Sequence, residues 1–375
     1  MTGSMYAAIA GLQTHMQKMN VIGNNIANAN TYGFKPGVTT FTESMYTSVN
    51  ASAAGGTQFG GTNASQIGYG SKVSSIDLNM SGGTYAPTGT NSNLYLDGNG
   101  FFLVGQKPDA AQGDPSDGYI GDPNDLTLTR VGNFRLDGDG YLVDANGYCV
   151  YGFMPLGEDN GALQTDADGN LTWDTCLRPI RLPVEAPASA DANALAQGKP
   201  VYAKLTGATG TAADNVWTYP QTITDTSKRI SVDAVNLSVG SNGVITVVTQ
   251  DGTPTTIGVV AVGSVVNPNG LTKQSNGYYL GGNNAGNLRV GTCGEVITGK
   301  YLSNETAQGN NAIDPSRAVS GAGTTKIISG GLESSKTDIA TEFADMITTQ
   351  RGFQANTKII TVTDEMLSDL VAMKR

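Results

Sequence analysis

The sequence is poor in most residue types that site chemistry requires. Its 375 residues hold one histidine, His15, two tryptophans and three cysteines. A Ser-His-Asp or Cys-His arrangement would have to use His15. His15 lies beside Met16 in a helical pattern, where a histidine on the helix surface is the expected role. Cys149, Cys176 and Cys293 are too few and too scattered for a disulfide framework or a zinc site, and read as buried, inert thiols. Charge is scarce at 14%, against about 25% in an average domain. The net charge of −10 excludes nucleic acid as a partner, because phosphate binding needs a basic face. No run of 18 apolar residues is present, so no membrane insertion is expected. The first residues lack a basic region followed by an apolar block, so no Sec-type signal peptide is expected either. The chain is read as cytosolic, or as exported without a cleaved signal.

Two near-motifs fail on inspection. Asp166, Asp168 and Asn170 begin like a calcium loop, but its sixth position is Leu171 and its twelfth is Leu177, where glycine and a bidentate glutamate are required. Gly294 to Lys300 approaches a phosphate loop, but Tyr301 follows in place of the magnesium-binding hydroxyl. No catalytic residue, cofactor or metal is therefore expected. A glycosidase pair among the many turn carboxylates stays open, because its members could meet only in the fold.

Glycine and heptad spacing are what the sequence has. Leu332, Ile339, Met346, Phe353, Ile360 and Leu367 are seven residues apart, with Phe343 on the same face. Thr349 and Asn356 fall off this line. Ser335 or Asp338 can cap the start. From Asp338 to Met373 such a helix is roughly 54 Å long at about 1.5 Å per residue. At the other end of the chain Met5, Leu12, Met19 and Ile26 are also seven apart, with Ile9 and Met16 interleaved. Sustained heptads mark helices that pack along their length. Two readings follow: a helical hairpin closing an ordinary globule, or helices built to pack against copies of themselves. Asn24, Asn25, Asn28 and Asn30 are poor helix stock. They read either as a frayed helix end or as amides that fix register across a subunit seam.

The chain's 50 glycines, about 13% against an average near 7%, indicate many turns and short strands between the helices. Residues 37–70 have linker composition, punctuated by apolar residues. Leu94–Val104 reads as a hairpin around Asp97-Gly98-Asn99-Gly100, and Asn133–Tyr151 as a meander. Prolines at 179, 183 and 187 mark the start of a second β-domain, which contains a hairpin over 236–252.

Several short stretches carry a family resemblance. Ser4-Met5-Tyr6, Val21-Ile22-Gly23-Asn24-Asn25-Ile26-Ala27-Asn28 and Thr31-Tyr32-Gly33-Phe34-Lys35 resemble the N-terminal signature of bacterial flagellar rod and hook proteins. Gln350-Arg351-Gly352-Phe353-Gln354-Ala355-Asn356 and Thr363-Asp364-Glu365-Met366-Leu367 resemble the C-terminal signature of that family. The resemblance is clear over 1–155 and 258–375 and thin between. Gly352-Phe353 and the long middle are similar to the hook branch, with the distal rod branch as the alternative.

The resemblance implies a multi-domain fold, with long terminal helices packed as a coiled-coil-like pair and two mainly-β domains, the second inserted in the first. The expected partition is a helix over 1–32, a linker over 33–70, a first β-domain over 71–155 and 258–331, an inserted domain over 156–257, and a C-terminal helix over 332–375. It implies a homopolymer of many copies, a curved tube around an export channel. Its partners would be the distal rod, hook cap, hook–filament junction proteins and export apparatus. The heptad residues named above, with Asn24, Asn25, Asn28, Gln350 and Arg351, are the expected self-assembly interface. The competing class is a secreted β-rich enzyme or glycan-binding module with helical ends.

Overall fold

The computed structural model describes residues 2–56, 60–106, 126–137, 140–155, 171, 173, 177–181, 204–206, 216–218, 237–248, 254–282, 284–286, 288–293 and 325–373. The chain forms two compact units: Met1–Met80 with Ser335–Arg375, and Ser81–Ser334.

The first unit holds both long helices, α1 (Thr2–Ala27) and α2 (Ile339–Met373). Asp338 caps α2 as expected: its carboxylate accepts the Ala340 N–H at 3.1 Å and the Thr341 hydroxyl at 2.7 Å. The heptad line begins earlier, at Leu332, but that residue lies outside the helix. At its C-terminal end α1 unwinds through the asparagines. The Asn28 amide donates to its own helix at Asn24 O, and Gly33 adopts a left-handed φ of 67° that a residue with a Cβ resists.

Residues 37–78 are not a linker. They form β1 (Gly37–Glu43), β2 (Tyr46–Asn50), β3 (Ser65–Gly68) and β4 (Ser71–Leu78). β1 pairs antiparallel with β4, from Gly37 opposite Leu78 to Glu43 opposite Ser71, and β2 pairs with β3. The result is one long two-stranded ribbon. Its threonines and valines are good strand formers. β2 and β3 are exposed at every position, and β4 alternates half-buried positions with exposed ones, but Val73 and Ile76 fall on different faces, so no apolar–polar alternation marks the ribbon in the sequence.

The second unit is β-rich. Its strands are β5 (Tyr85–Pro87), β6 (Leu94–Asp97), β7 (Phe101–Gly105), β8 (Thr127–Thr129), β9 (Arg135–Leu136), β10 (Leu142–Val143), β11 (Cys149–Phe153), β12 (Arg178–Pro179), β13 (Lys204–Thr206), β14 (Val216–Thr218), β15 (Leu237–Val239), β16 (Val244–Val248), β17 (Pro254–Ser264), β18 (Thr272–Lys273), β19 (Tyr278–Leu280), β20 (Arg289–Thr292), β21 (Lys326–Ser329) and β22 (Gly331–Glu333). Twelve of them share one sheet, whose main path runs β15-β16-β17-β11-β7-β8-β19-β18.

The expected meander holds: β9 pairs with β10 and β10 with β11. The hairpin expected at Asp97–Gly100 does not form. β6 pairs with β21 and β7 with β8, β11 and β17, so the turn hands the chain from one sheet to another. A domain over 156–257 also fails at its described ends. β12 pairs with β11 and β16 with β17. Ile180, Leu237, Val239, Ile245, Val247 and Ile257 share one core with Leu94, Phe102, Val150 and Val260. Burial joins these stretches, which the proline run seemed to separate. The Asp166–Asn170, Gly294–Lys300 and Cys176 positions lie outside the described residues. Cys149 and Cys293 are free, buried thiols, and burial pushes Cys293 up to about 12.

A buried ion pair holds the two ends of this unit. Arg130 Nε donates to Glu333 Oε2 at 2.9 Å, with both side chains almost fully enclosed. The guanidinium also donates to the carbonyls of Gly98 (2.9 Å) and Gly100 (2.8 Å). Glu333 Oε1 accepts the Gly83 N–H at 2.6 Å, and β22 pairs with β5. The strands by which the chain enters and leaves the unit are thereby fixed side by side.

Candidate assembly surface

The pairing of α1 with α2 is built on small and polar residues. Asn25 meets Glu342, Lys18 meets Asp345 (3.5 Å), and Gly11 and Gly352 lie against Asn356 and His15 respectively. Numbers fall on one helix as they rise on the other, so the pair is antiparallel. Ala8, Thr14, Ile22 and Asn25 are buried on α1, and Thr349 and Thr363 on α2. This is a heptad seam of its own. Ala8, His15 and Ile22 are seven apart, as are Gly11, Lys18 and Asn25, and Glu342, Thr349, Asn356 and Thr363.

A Cβ on Gly11 would stand 2.6 Å from Asn356 Nδ2, and one on Gly352 would stand 2.7 Å from the His15 ring. Each helix thus offers a glycine to a polar side chain of the other. His15 is not simply a surface histidine. Its Nδ1 is buried, and its ring stands edge-on to Phe41 at 6.1 Å.

Asn25 ties three elements together. Its Nδ2 donates to Gly37 O and to Glu342 Oε1, both at 2.9 Å, and its Oδ1 accepts the Gly37 N–H at 3.0 Å. Both amide protons are used within the chain. Burial holds the Glu342 carboxyl above its usual range, partly offset by the Asn25 bond. The bonds from the Thr341 hydroxyl and the Ala340 N–H hold Asp338 below its own.

The apolar heptad lines lie beside this seam. Met5, Leu12, Met19 and Ile26 are half-buried, and Ile9 and Met16 are exposed. On α2, Met346, Phe353 and Ile360 are half-buried, while Ile339, Phe343, Gln350, Arg351 and Leu367 are exposed. Asn24 is exposed and Asn28 half-buried. Leu332 is a correction: it sits buried in β22, paired with Ala86, because the chain is still in the second unit there. The residues that sequence reasoning missed are Gly11, Thr14, Gly352 and Thr363. The seven-residue spacing of Gly11 and Thr363 with their seam neighbours was visible, but not in an apolar alphabet. Thr349 and Asn356 were read as off the line, and they make the seam instead.

The two units differ sharply in what they expose. Of 25 large apolar side chains exposed among the described residues, 21 belong to the first unit and four to the second. The ribbon contributes Val38, Phe41, Met45, Tyr46, Val49 and Ile67. Along α2, Ile347, Ile359, Val362, Met366, Leu370 and Val371 are also open to solvent.

The terminal helices and the ribbon thus share one unit, and the β-rich middle forms the other. Residues 5–35 match the family described as flagella basal body rod protein, and residues 328–373 match the C-terminal family of the flagellar basal body rod proteins FlgE, FlgF and FlgG. Both ends of the chain thus match models of the flagellar hook and rod family. Over 487 aligned positions it is 27% identical to the flagellar hook protein FlgE of Borreliella burgdorferi, covering all of both chains. It is 29% identical over 375 positions to the flagellar basal-body rod protein FlgG of Bacillus subtilis, again covering all of both. With the hook protein FlgE of Escherichia coli it shares 24% over 436 positions, covering 98% of this chain and 99% of the relative.

Proposed function

We propose that this chain is a structural subunit of the bacterial flagellar hook, added copy by copy through its first unit. The observation that carries this is the apolar exterior of that unit: 21 large side chains stay open after the helices have paired. Monomers rarely leave such a surface uncovered. Covering one such side chain is worth about 1.5–3 kcal/mol, so neighbouring copies on α1, α2 and the ribbon would supply cohesion. The α1–α2 seam consumes little apolar surface, which leaves the Met5–Ile26 and Ile339–Leu367 lines for contacts between copies.

The finer reading is a curved, flexible tube around an export channel that passes torque from rod to filament. Its neighbours are the distal rod, the hook cap, the junction proteins and the export apparatus. The subunit would reach the cell exterior without a cleaved signal peptide. A straight distal rod subunit is the second reading. Its support is the Bacillus rod protein, 29% identical over the whole of both chains. Electron microscopy of sheared cells carrying a tagged chain separates the two. Label along curved tubes supports the hook. Label confined to a straight shaft supports the rod, and label on neither refutes both.

A further inference from the structure

Methionine is distributed unevenly over this chain. Nine of its ten methionines lie in the first unit, which has only four of the 24 leucines. The second unit has one methionine, Met154, and it is buried. The two residues fill similar volumes, but methionine is unbranched and polarisable and suits a surface that must fit more than one geometry. In the first unit Met16, Met45, Met366 and Met373 are 52%, 73%, 45% and 76% exposed, and Met5, Met19, Met80 and Met346 are half-buried. None of these eight is buried, so the methionines mark the open face and not a core.

An exposed thioether is open to two-electron oxidation. Its sulfur lone pair attacks one oxygen of hydrogen peroxide, the O–O bond breaks, a sulfoxide S–O bond forms and water leaves. The apolar side chain becomes polar, and burying it without a partner is costly. We propose that Met16, Met45, Met366 and Met373 are oxidation sites that gate polymer addition: a peroxide oxidises them on the free chain, and the oxidised chain does not add. This rests on the filament reading above. Once a copy is in place, its neighbours cover these sulfurs, so the polymer resists the same oxidant.

The test uses the full-length chain, hydrogen peroxide and sheared polymer fragments as seeds. Peptide mass spectrometry should find one added oxygen on each of the four methionines of the free chain, with Met154 spared. The same four should be protected in the polymer. Seeded growth of oxidised chain should fall by about tenfold or more, the equivalent of about 1.4 kcal/mol per addition, and methionine sulfoxide reductase should restore it. Growth of the variant Met16→Leu, Met45→Leu, Met366→Leu, Met373→Leu, measured against its own untreated rate, should not change with peroxide. Equal inhibition of that variant, or undiminished growth of the oxidised natural chain, overturns the proposal alone. Untreated chain that forms no polymer overturns the filament reading and this proposal with it.

Discussion

Asn356 of α2 occupies the space that a side chain on Gly11 of α1 would need, with Nδ2 2.6 Å from the site of the absent Cβ. His15 and Gly352 repeat the relationship with the helices exchanged. Close approach at these two points lets a long helix pair form without a leucine seam. Valine at either glycine should overpack the seam and destabilise the helix pair by about 1–3 kcal/mol. Alanine at Gly11 should be nearly neutral. The helix gains about 1 kcal/mol in propensity, and the Asn356 amide is a side-chain end that can turn away. Thermal melts followed by helix dichroism measure both.

Asn25→Ala should cost about 1–3 kcal/mol, because it leaves half-buried groups on Gly37 and Glu342 without their partner. Asn24→Ala, one residue earlier and exposed, should change little. Equal melting temperatures for the two variants would show that the three bonds of Asn25 contribute nothing.

Removing half of the Arg130–Glu333 pair should unfold the second unit readily. A lone buried charge costs about 3–5 kcal/mol. Arg130→Met alone should be severe, and adding Glu333→Leu should recover part of the loss. Denaturant titration of the β signal distinguishes this from two independent losses, for which the double variant would be worse than either.

Acidity should act on the helix pair with two opposite signs. The folded pKa of Glu342 is raised above 4.5, so its contribution is full below that value and lost as pH rises through the folded pKa. The folded pKa of Asp338 is lowered from 3.8, so its contribution is present above that value and lost as pH falls through the folded pKa. Glu342→Gln keeps an acceptor for Asn25 and should abolish the first dependence only. Asp338→Asn should abolish the second. Melting curves from about pH 3 to about pH 7 test both, and unchanged slopes would contradict them.

Both helices, the Asp338 cap and the β-rich middle were legible in the sequence, because period and turn chemistry are local. The ribbon was not, since its few apolar residues do not follow the alternation that marks a strand. The pairing of β16 with β17 is not legible, because strand partners are chosen by burial and nothing local in β16 names β17 as its neighbour. For the candidate site, the apolar heptads were visible but their role was incomplete. The helices meet on the adjacent small and polar positions, which a search for leucine-like residues passes over. Thr349 shows the consequence: it reads as an off-line polar residue and is buried in the seam.

In the proposed subunit, the open apolar face of α2 joins copies while the polar seam holds each copy together. Ile359 and Leu367 are 45% and 38% exposed, and Thr349 is 2% exposed. The deciding measurement compares seeded polymer growth with monomer melting for Ile359→Asp, Leu367→Asp and Thr349→Asp. The first two should melt like the natural chain and fail to polymerise, since every added copy would have to bury an unpaired carboxylate. Thr349→Asp should lose helix signal already as a monomer. Normal polymer from both Ile359→Asp and Leu367→Asp would rule out α2 as the face that joins copies.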